Sequence, residues 1–343
     1  MRVLLGMSGG LDSTYSAVKL MEEGHSVEGA VLVMHDYTEI ESARAAAREI
    51  GIKLHEIDCR RLFEERVIPD FISEYRKGRT PNPCIVCNRE VKFKALLDFA
   101  KSNGFDKIAT GHYAKICRKS FGNTEKSVIC RASDSSKDQT YMLWRLPHEV
   151  IDNLLLPLSD LTKEEIRLMA AKKGISSAER KESQEICFIP SGDYGGYIES
   201  IYGKSPEGDF VDEDGNVLGR HKGIIHYTVG QRKGLGIALG QRAFVTDINP
   251  VTDRITLSFS AKETDEFTVS DIVFSGCEEM PVGSSAEMLV KIRYQAAPVS
   301  AKIEILEGKK ARVILARPAR SVTSGQSAVF YDGEVLMLGG FID

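Results

Sequence analysis

The sequence predicts an α/β protein of several domains: a doubly wound parallel sheet with a helical extension, then a small central β domain, then a C-terminal β-barrel. The chain has 343 residues, more than the ~250 to 300 that one hydrophobic core usually organises. Strand-like and helical segments alternate over residues 1–111. After residue 203 the pattern changes to short β-branched runs separated by turn sequences.

The alternating N-terminal segments predict parallel strands joined by right-handed crossovers. Ligands of such sheets bind at the carboxyl ends of the strands. The predicted strands are 2–7, 27–34, 53–58 and 107–111, and the predicted helices are 13–23, 39–50, 61–77 and 90–103.

The rest of the chain predicts a hairpin, a helical extension and two β domains. Residues 114–132 predict a small inserted hairpin, and residues 138–202 predict helices, with Thr162 and Glu165 spaced as a capping box and Gly174 as a stop. The final segment predicts a barrel or sandwich of about six strands. The predicted domains are 1–202, 203–259 and 260–343.

Charge is distributed unevenly along the chain. The net charge is −4, so a polyanionic partner must be met by local patches. Residues 291–320 carry eight Lys or Arg against two Glu, and residues 220–242 carry five with no acid. On charge alone these segments fit a face for an anionic partner and an ordinary solvated surface equally well.

Membrane and export signals are missing from the sequence. No apolar run approaches the ~20 residues of a membrane helix, and MRVLLGMSGG does not have the pattern of a signal peptide. We therefore expect a cytoplasmic protein whose seven cysteines are mostly reduced thiols.

The segment SGGLDS, Ser8 to Ser13, follows the first predicted strand and begins the first predicted helix. Free N–H groups at such a position attract an anion. Gly9 and Gly10 let phosphate oxygens approach the backbone, and Asp12 can cap the helix or hold a metal ion on the phosphates. The segment lacks the Lys-Ser/Thr ending of the kinase-type P-loop.

This segment resembles the PP-loop of the ATP pyrophosphatases, HUP-like enzymes that adenylate an oxygen and release pyrophosphate. The resemblance implies that the loop grips the β and γ phosphates of ATP, with Mg2+ screening their charge. The ATP-binding residues it implies are Gly6, Met7, Ser8, Gly9, Gly10, Leu11, Asp12, Ser13, Leu32 and Gly111.

Seven further strings together resemble the tRNA-specific 2-thiouridylases, in order from the first strand to the last. They are GRTPNPCIVCN (78–88), KFKALLDFA (92–100), ATGHYA (109–114), SKDQTYML (136–143), ICFI (186–189), IHYTVGQRKGLGI (225–237) and SGQSAVFYDGEV (324–335). The resemblance implies that ATP adenylates the C2 oxygen of the wobble uridine at tRNA position 34, and that sulfur then replaces it to give 2-thiouridine. The target base must leave its stack to enter such a pocket.

The resemblance also implies roles for single residues. Cys87 matches the nucleophilic cysteine, and Cys187 matches the cysteine that carries persulfide sulfur delivered by a sulfur-donor protein. The residues that match the contact with the target base are Asn82, Pro83 and Cys84. The residues that match tRNA contacts are His112, Lys137, Asp138, Gln139, Arg293, Tyr294 and Gln326. His112 is equally compatible with a packed or capping role.

Cys84 departs from the family pattern, which often has aspartate at this position, and it leaves two routes open. In one, Cys187 carries the persulfide, Cys87 resolves it by forming a disulfide, and Cys84 has no chemical role. In the other, Cys84, Cys87 and Cys187 hold a [4Fe-4S] cluster whose open iron carries the sulfide. The first is favoured here.

The sequence predicts simpler roles for the other four cysteines. Cys59, Cys117, Cys130 and Cys277 fit small buried apolar residues. Cys84 and Cys87 follow Pro81 and Pro83 in a predicted surface loop, where Arg89, Lys92, Lys94 and the following helix start favour the thiolate. A structural zinc site would need four ligands, and the sequence offers no second CxxC.

Two segments and two rival functions complete the sequence-based picture. Over residues 32–42 the chain lacks the longer acidic, cysteine-containing insertion that is common in the family. In the Gly-rich segment further along the chain, Arg232 and Lys233 fit phosphate contacts to RNA. One rival is an amide-forming PP-loop synthetase acting on a small molecule; the other is a non-catalytic tRNA-binding paralogue. The first leaves the two β domains and the three cysteines unexplained. The second would be supported by erosion of the PP-loop, whereas SGGLDS, Cys87 and Cys187 are all present.

Overall fold

The structure is a computed structural model of the chain, and it describes residues 1–122, 124–179, 186–260, 263–320 and 322–343. The strands are β1 (Arg2–Gly6), β2 (Ser26–Val33), β3 (Leu54–Asp58), β4 (Lys107–Thr110), β5 (Lys115–Phe121), β6 (Thr124–Cys130), β7 (Leu154–Leu155), β8 (Gly208–Val211), β9 (Val217–His221), β10 (Phe244–Asn249), β11 (Arg254–Ser258), β12 (Glu263–Phe274), β13 (Ser285–Lys291), β14 (Val299–Leu306), β15 (Lys310–Arg320), β16 (Ser327–Asp332) and β17 (Val335–Ile342).

Helices lie mainly in the first 202 residues. The α-helices are α1 (Leu11–Glu22), α2 (Ile40–Glu49), α3 (Arg60–Arg66), α4 (Ile68–Arg76), α5 (Pro83–Cys87), α6 (Phe93–Ser102), α7 (His148–Asp152), α8 (Lys163–Lys172) and α9 (Tyr194–Tyr202). A π-helical turn (Asn88–Lys92) joins α5 to α6, and short 3-10 turns occur at Thr140–Met142, Ser176–Glu179 and Ile224–His226. Within the described ranges, no helix is long and apolar enough to cross a membrane.

The N-terminal sheet has the predicted doubly wound form. Its strand order is β3-β2-β1-β4-β7, and every neighbouring pair is parallel. The order reverses around β1, the strand that runs into the SGGLDS loop, and ligands of open parallel sheets bind at such a reversal. The fold class predicted from the sequence is therefore confirmed.

Three local predictions were wrong in part. The predicted helix 61–77 is two helices, because Pro69 lacks the N–H that one continuous helix would need. Residues 138–202 are less helical than predicted, since Leu154–Leu155 adds a fifth strand to the sheet. The PNPC stretch is not a loop, because Asn82 caps the short helix α5 and Pro83 occupies its first turn without a missing hydrogen bond. The capping box at Thr162 and the stop at Gly174 (φ +73°) are confirmed.

The C-terminal strands form a closed antiparallel barrel. The order β12-β15-β14-β13-β16-β17 is closed by pairing of β12 with β17. Upstream, a separate four-stranded sheet has the order β10-β11-β8-β9.

The hairpin β5–β6, predicted only as an insertion, extends the barrel's sheet. Cys130 pairs with Val335 of β17, so a hairpin from residues 115–130 joins strands from the C-terminal third of the chain. Trp144 strengthens the same junction: it is fully buried, its indole N–H donates to the Ser327 hydroxyl at 3.0 Å, and it lies over Gly339. A Cβ on Gly339 would come within 2.5 Å of the indole ring. The barrel and the parallel sheet are thus held together by packing and hydrogen bonds.

Candidate active site at the carboxyl edge of the parallel sheet

The loop between β1 and α1 is shaped by its own hydroxyl groups. The Ser13 hydroxyl donates to the Gly10 carbonyl at 3.1 Å, and the Gly10 N–H donates to the Ser8 hydroxyl at 3.3 Å. Among the described residues, no side chain caps the start of α1. The first N–H groups of this helix therefore point, with the positive end of its dipole, to where an anion would bind.

Two glycines let neighbouring backbone approach this loop. Gly9 has φ +79°, and a Cβ there would lie 2.3 Å from the carbonyl carbon of Ser42 in α2. A Cβ on Gly111, which follows β4, would lie 2.9 Å from backbone atoms of Asp12 and Ser13. Leu32 is buried on β2, the strand next to β1. The residues predicted to bind ATP thus lie along the carboxyl ends of adjacent strands.

Asp12 has two partners that sequence reasoning missed. Its carboxylate accepts a hydrogen bond from the Tyr113 hydroxyl at 2.7 Å, and its two oxygens lie 2.7 and 2.8 Å from the ammonium nitrogen of Lys163. The carboxylate is therefore engaged within the protein and does not cap α1. Tyr113 stands in the ATGHYA string, and Lys163 directly follows the predicted cap Thr162.

The segment that leads into α5 is held by the barrel. The Thr80 N–H donates to the Ser324 carbonyl at 2.9 Å, and the Gln326 amide donates to the Thr80 carbonyl at 2.8 Å. Gly325 permits this contact, since a Cβ there would lie 3.0 Å from the backbone of Thr80. The Asn82 side chain accepts from the Cys84 N–H at 3.2 Å. The barrel therefore positions the predicted target-base segment.

The three cysteines of interest come together but differ in exposure. Cys84 and Cys187 are exposed, whereas Cys87 is buried and its thiol contacts the Met34 sulfur at 3.6 Å. Burial raises the pKa of Cys87 to about 12; the charge of Lys92 opposes this shift, while Cys84 and Cys187 add to it. The sequence-based expectation of an exposed Cys87 thiolate was wrong, because residues far away in sequence cover its side chain.

Lys92 provides the positive charge of this site. It ends the π-helical turn after α5, a distortion often found at functional sites. Its charge lowers the pKa of Cys87 and of Cys187, although desolvation dominates and leaves both thiols with raised pKa values. Burial and, to a smaller extent, the charge of Lys92 lower the pKa of His112 to about 3. His112 is therefore neutral at physiological pH.

We expect iodoacetamide at pH 8 to modify Cys84 at least about tenfold faster than Cys87, because the thiolate is the reactive form and burial with a raised pKa suppresses it. Peptide mass spectrometry over time measures both rates. Denatured protein is the control, in which the two rates should converge. Equal rates in the folded protein would contradict the burial of Cys87.

The residues predicted to contact tRNA are mostly engaged within the protein. The Asp138 carboxylate is buried and accepts from the Thr140 hydroxyl at 2.7 Å. The Gln139 side chain accepts from the Tyr113 N–H at 2.9 Å. The Arg293 guanidinium donates to the Val229 carbonyl at 3.2 Å. The His112 ring lies 2.8 Å from the Thr110 hydroxyl, and the Tyr294 ring lies beside the Tyr141 ring. The Gln326 amide donates to the Thr80 carbonyl, and Lys137 also has a partner within the protein.

A basic loop lies beyond this region. Residues 232–239 and 241–243 line a cavity of about 630 Å³, with Arg232, Lys233 and Arg242 among its lining residues. In the part of the chain that the structure describes, no three His, Cys, Asp or Glu side chains converge to hold a metal ion. Of the remaining cysteines, Cys59 and Cys130 are buried as predicted, whereas Cys117 and Cys277 are partly exposed.

Comparisons with known proteins cover the whole chain. A family model described as tRNA methyl transferase HUP domain matches residues 1–191, one described as tRNA methyl transferase PRC-barrel domain matches 196–258, and one described as aminomethyltransferase beta-barrel domain matches 264–342. The tRNA-specific 2-thiouridylase MnmA 1 of Clostridium botulinum (strain Okra / Type B1) is 43% identical over 354 residues, covering 99% of this chain and 98% of that protein.

A second relative and a solved structure complete the comparison. The tRNA-specific 2-thiouridylase MnmA of Carboxydothermus hydrogenoformans is 40% identical over 359 residues, covering 100% of this chain and 97% of its own. A 4-thiouridine synthetase solved as an RNA complex with bound ATP is 20% identical, with a TM-score of 0.37, over 52% of this chain and 41% of that one.

Proposed function

Because the chain belongs to the family of tRNA-specific 2-thiouridylases, we propose that it replaces the C2 oxygen of the wobble uridine at position 34 by sulfur. The family assignment makes it a PP-loop enzyme that uses ATP to thiolate a uridine of tRNA. The single observation that carries the assignment is the match of about 40% identity along the full length of both proteins. An amide-forming synthetase has no comparable support.

We propose that ATP binds along the SGGLDS loop, Gly6, Met7, Leu32 and Gly111, with its phosphates at the start of α1. The open N–H groups of that helix support this placement. The Asp12 carboxylate binds Lys163, and among the described residues its second oxygen accepts only from that ammonium group. Asp12 can therefore still help to hold Mg2+ on the phosphates of ATP. The uridine oxygen bonds to the α phosphorus, the bond to the β phosphate breaks, and pyrophosphate leaves with the electron pair.

We propose that sulfur follows the persulfide route. A donor protein loads Cys187, whose exposure supports access by another macromolecule. The terminal sulfur attacks the adenylated C2, AMP leaves, and the tRNA is joined to Cys187 through a disulfide. Cys87 then attacks the Cys187 sulfur, releasing 2-thiouridine and leaving a Cys87–Cys187 disulfide that an external thiol must reduce. The effect of Cys187 on the pKa of Cys87 supports the proximity of the two thiols.

The buried state of Cys87 suits a residue that acts second. A protonated, covered thiol does not compete for the donor's sulfur or for the adenylate. Lys92 lowers the pKa of both thiols, so it supports the thiolate when Cys87 is uncovered. Asp138, Gln139, Arg293 and Gln326 hold the segments that face tRNA, while His112, Lys137, Tyr294 and the basic loop 232–243 provide its contacts. We further propose domains 1–202, 203–259 and 260–343, and a cytoplasmic location, where tRNA is found.

Mass spectrometry of tRNA nucleosides tests the function directly. Cells that lack this chain should lose 2-thiouridine and its derivatives, and a plasmid copy should restore them. A copy with both Cys87 and Cys187 changed to serine is the control. Unchanged 2-thiouridine in cells without any family member would refute the proposal.

Replacement of Cys84 by aspartate should leave thiolation within about threefold of the unchanged protein, because Cys84 takes no part in the persulfide route and an acidic side chain is favourable in a first helical turn. Thiolation of tRNA in vitro measures the rate. Cys84→Ala is the matched control for loss of the thiol alone. Iron and labile sulfide in protein purified without oxygen, together with inactivity of both variants, would favour the cluster route instead.

A further inference from the structure

Two cations meet at the junction between the first domain and the barrel. Lys291 ends β13, and Arg131 directly follows β6. Lys291 is only 9% exposed, and the described residues offer its ammonium group no hydrogen bond and no ion pair. Because a lysine is seldom buried so deeply unless it is paired, this position requires an explanation.

The alternation of side chains along β13 places Lys291 on the outside of the barrel. Val290 is fully buried in the barrel core, so its neighbours Leu289 and Lys291 point away from that core. On this side Leu289 and Tyr331 belong to one apolar cluster with Tyr141 of the first domain. The lysine is therefore covered by the first domain and not by the barrel itself.

Arg131 is held in place but has unpaired donors. Its guanidinium group lies over the Tyr331 ring, 4.2 Å from the ring centre, and its backbone N–H donates to the Glu334 carbonyl at 2.9 Å. The Nε and Nη2 atoms are buried and have no partner among the residues that the structure describes. Unpaired buried donors cost free energy, and a planar guanidinium group with open donors suits the oxygens of a phosphate.

The charges around Lys291 do not balance. Burial lowers its pKa, Asp138 opposes this shift, and the charge of Arg131 adds to it. The Asp138 carboxylate already accepts hydrogen bonds from the Thr140 hydroxyl at 2.7 Å and from the Ala132 N–H at 3.3 Å. One engaged carboxylate thus faces two cations, and an anion bound between the cations would offset their repulsion.

The cation pair lies close to the segment proposed to contact the target base. The Tyr331 hydroxyl is 3.0 Å from the Thr140 hydroxyl, and Thr140 begins the short turn that ends at Met142. The Met142 carbonyl accepts from the Asn88 amide at 2.9 Å, and its sulfur lies 3.4 Å from the Asn82 amide nitrogen. An RNA whose base reaches Asn82 therefore brings its backbone near the pair.

We propose that Lys291 and Arg131 bind a backbone phosphate of the tRNA next to the target uridine. The inference rests on the proposed function and adds a phosphate site to it. A phosphate supplies the acceptor oxygens that both side chains lack, and it is shared by one residue of the first domain and one residue of the barrel. Such a contact positions the RNA and does not read its sequence.

The first test is tRNA binding by the full chain with Lys291→Met, which removes the charge and keeps the length of the side chain. The affinity should fall about tenfold, and the slope of log affinity against log salt concentration should decrease by about 0.7 to 1. ATP affinity should stay within twofold. Lys310→Met is the matched control, because Lys310 is an exposed lysine of the same barrel that already pairs with Asp343. Unchanged tRNA affinity and slope in Lys291→Met would overturn the inference.

Thermal unfolding without RNA separates phosphate binding from a purely structural role. Lys291→Met should be at least as stable as the unchanged protein, since the variant no longer buries an unpaired ammonium group. A lower unfolding temperature together with equal losses of tRNA and ATP affinity would show that Lys291 acts in folding, and the inference would be wrong.

Chemically altered tRNA identifies the phosphate. Neutral methylphosphonates are placed one at a time around uridine 34 of a full-length tRNA. At one position the replacement should weaken binding to the unchanged protein about tenfold and binding to Lys291→Met less than twofold, because that variant has already lost the contact. Equal losses in the two proteins at every position would contradict the assignment.

Inorganic phosphate distinguishes an RNA site from a site for a free anion. Calorimetric binding of inorganic phosphate that Lys291→Met abolishes, with tRNA affinity unaffected, would assign the pair to a small anion and overturn the inference. If the unchanged protein does not bind tRNA, the proposed function and the inference both fail. If it binds and thiolates tRNA and Lys291→Met does so equally well, only the inference fails.

Discussion

Replacement of Cys187 by serine is expected to lower 2-thiouridine formation at least about a thousandfold, because a hydroxyl group cannot carry sulfane sulfur and the nucleophile of the second step is lost. Adenylation should continue, since Cys187 lies outside the phosphate loop. The measurement is thiolation of unmodified tRNA with a persulfide donor, in parallel with pyrophosphate release.

Cys87→Ser should give a different failure. The tRNA should accumulate joined to Cys187 through a disulfide, because the resolving thiol is missing, and a reductant should release it as thiolated tRNA. Gel electrophoresis with and without reductant detects this species. Cys277→Ser is the control, since Cys277 lies in the barrel and should leave the reaction intact. Thiolation by the Cys187→Ser variant would contradict the persulfide route.

Gly9→Ala should reduce ATP affinity by about a hundredfold or more. Gly9 has φ +79°, a conformation that costs a residue with a side chain about 1 to 2 kcal/mol. The added Cβ would also lie 2.3 Å from the backbone of Ser42. The loop or α2 must therefore move, and a displacement of about 1 Å at a phosphate site costs on the order of a hundredfold. ATP titration measures the affinity, and urea denaturation measures the free energy of unfolding.

Gly24→Ala is the matched control for that variant. Gly24 has φ +83°, close to that of Gly9, but its added Cβ would meet no atom within 4 Å among the described residues. It should lose stability through the backbone conformation alone and keep its ATP affinity. Equal loss of ATP affinity in both variants would show that close contact with Ser42 is not what makes Gly9 necessary.

The fold was predictable because its signals are local. Alternation of strands and helices, the loop at Ser8 to Ser13 and the capping box at Thr162 each depend on residues a few positions apart. Those features are present in the structure because tertiary packing stabilises the same local conformations that the sequence favours. The split at Val67 and the helix at Pro83 were missed because each depends on how one proline fits a particular turn.

The site was less predictable because its contacts join distant parts of the chain. Asp12 and Lys163 are separated by 151 positions, and Cys87 is covered by Met34 and by the apolar residues around Phe188. Contacts between residues so far apart in sequence cannot be predicted from the periodicity of any single segment. The resemblance to a family supplied the names of the cysteines, whereas exposure, pKa and the partner of Asp12 required the three-dimensional arrangement.

The pairing of Cys130 with Val335 also sets an order for synthesis. At about 5 to 20 residues per second, a ribosome needs on the order of 10 to 40 s to make the residues between them. Through that interval the hairpin edge has no neighbour, and Thr80 lacks the backbone of Ser324 and the amide of Gln326. The nascent chain can therefore build the loop proposed to bind ATP early, but it cannot position the segment proposed to bind the target base until residues 324–326 have been synthesised.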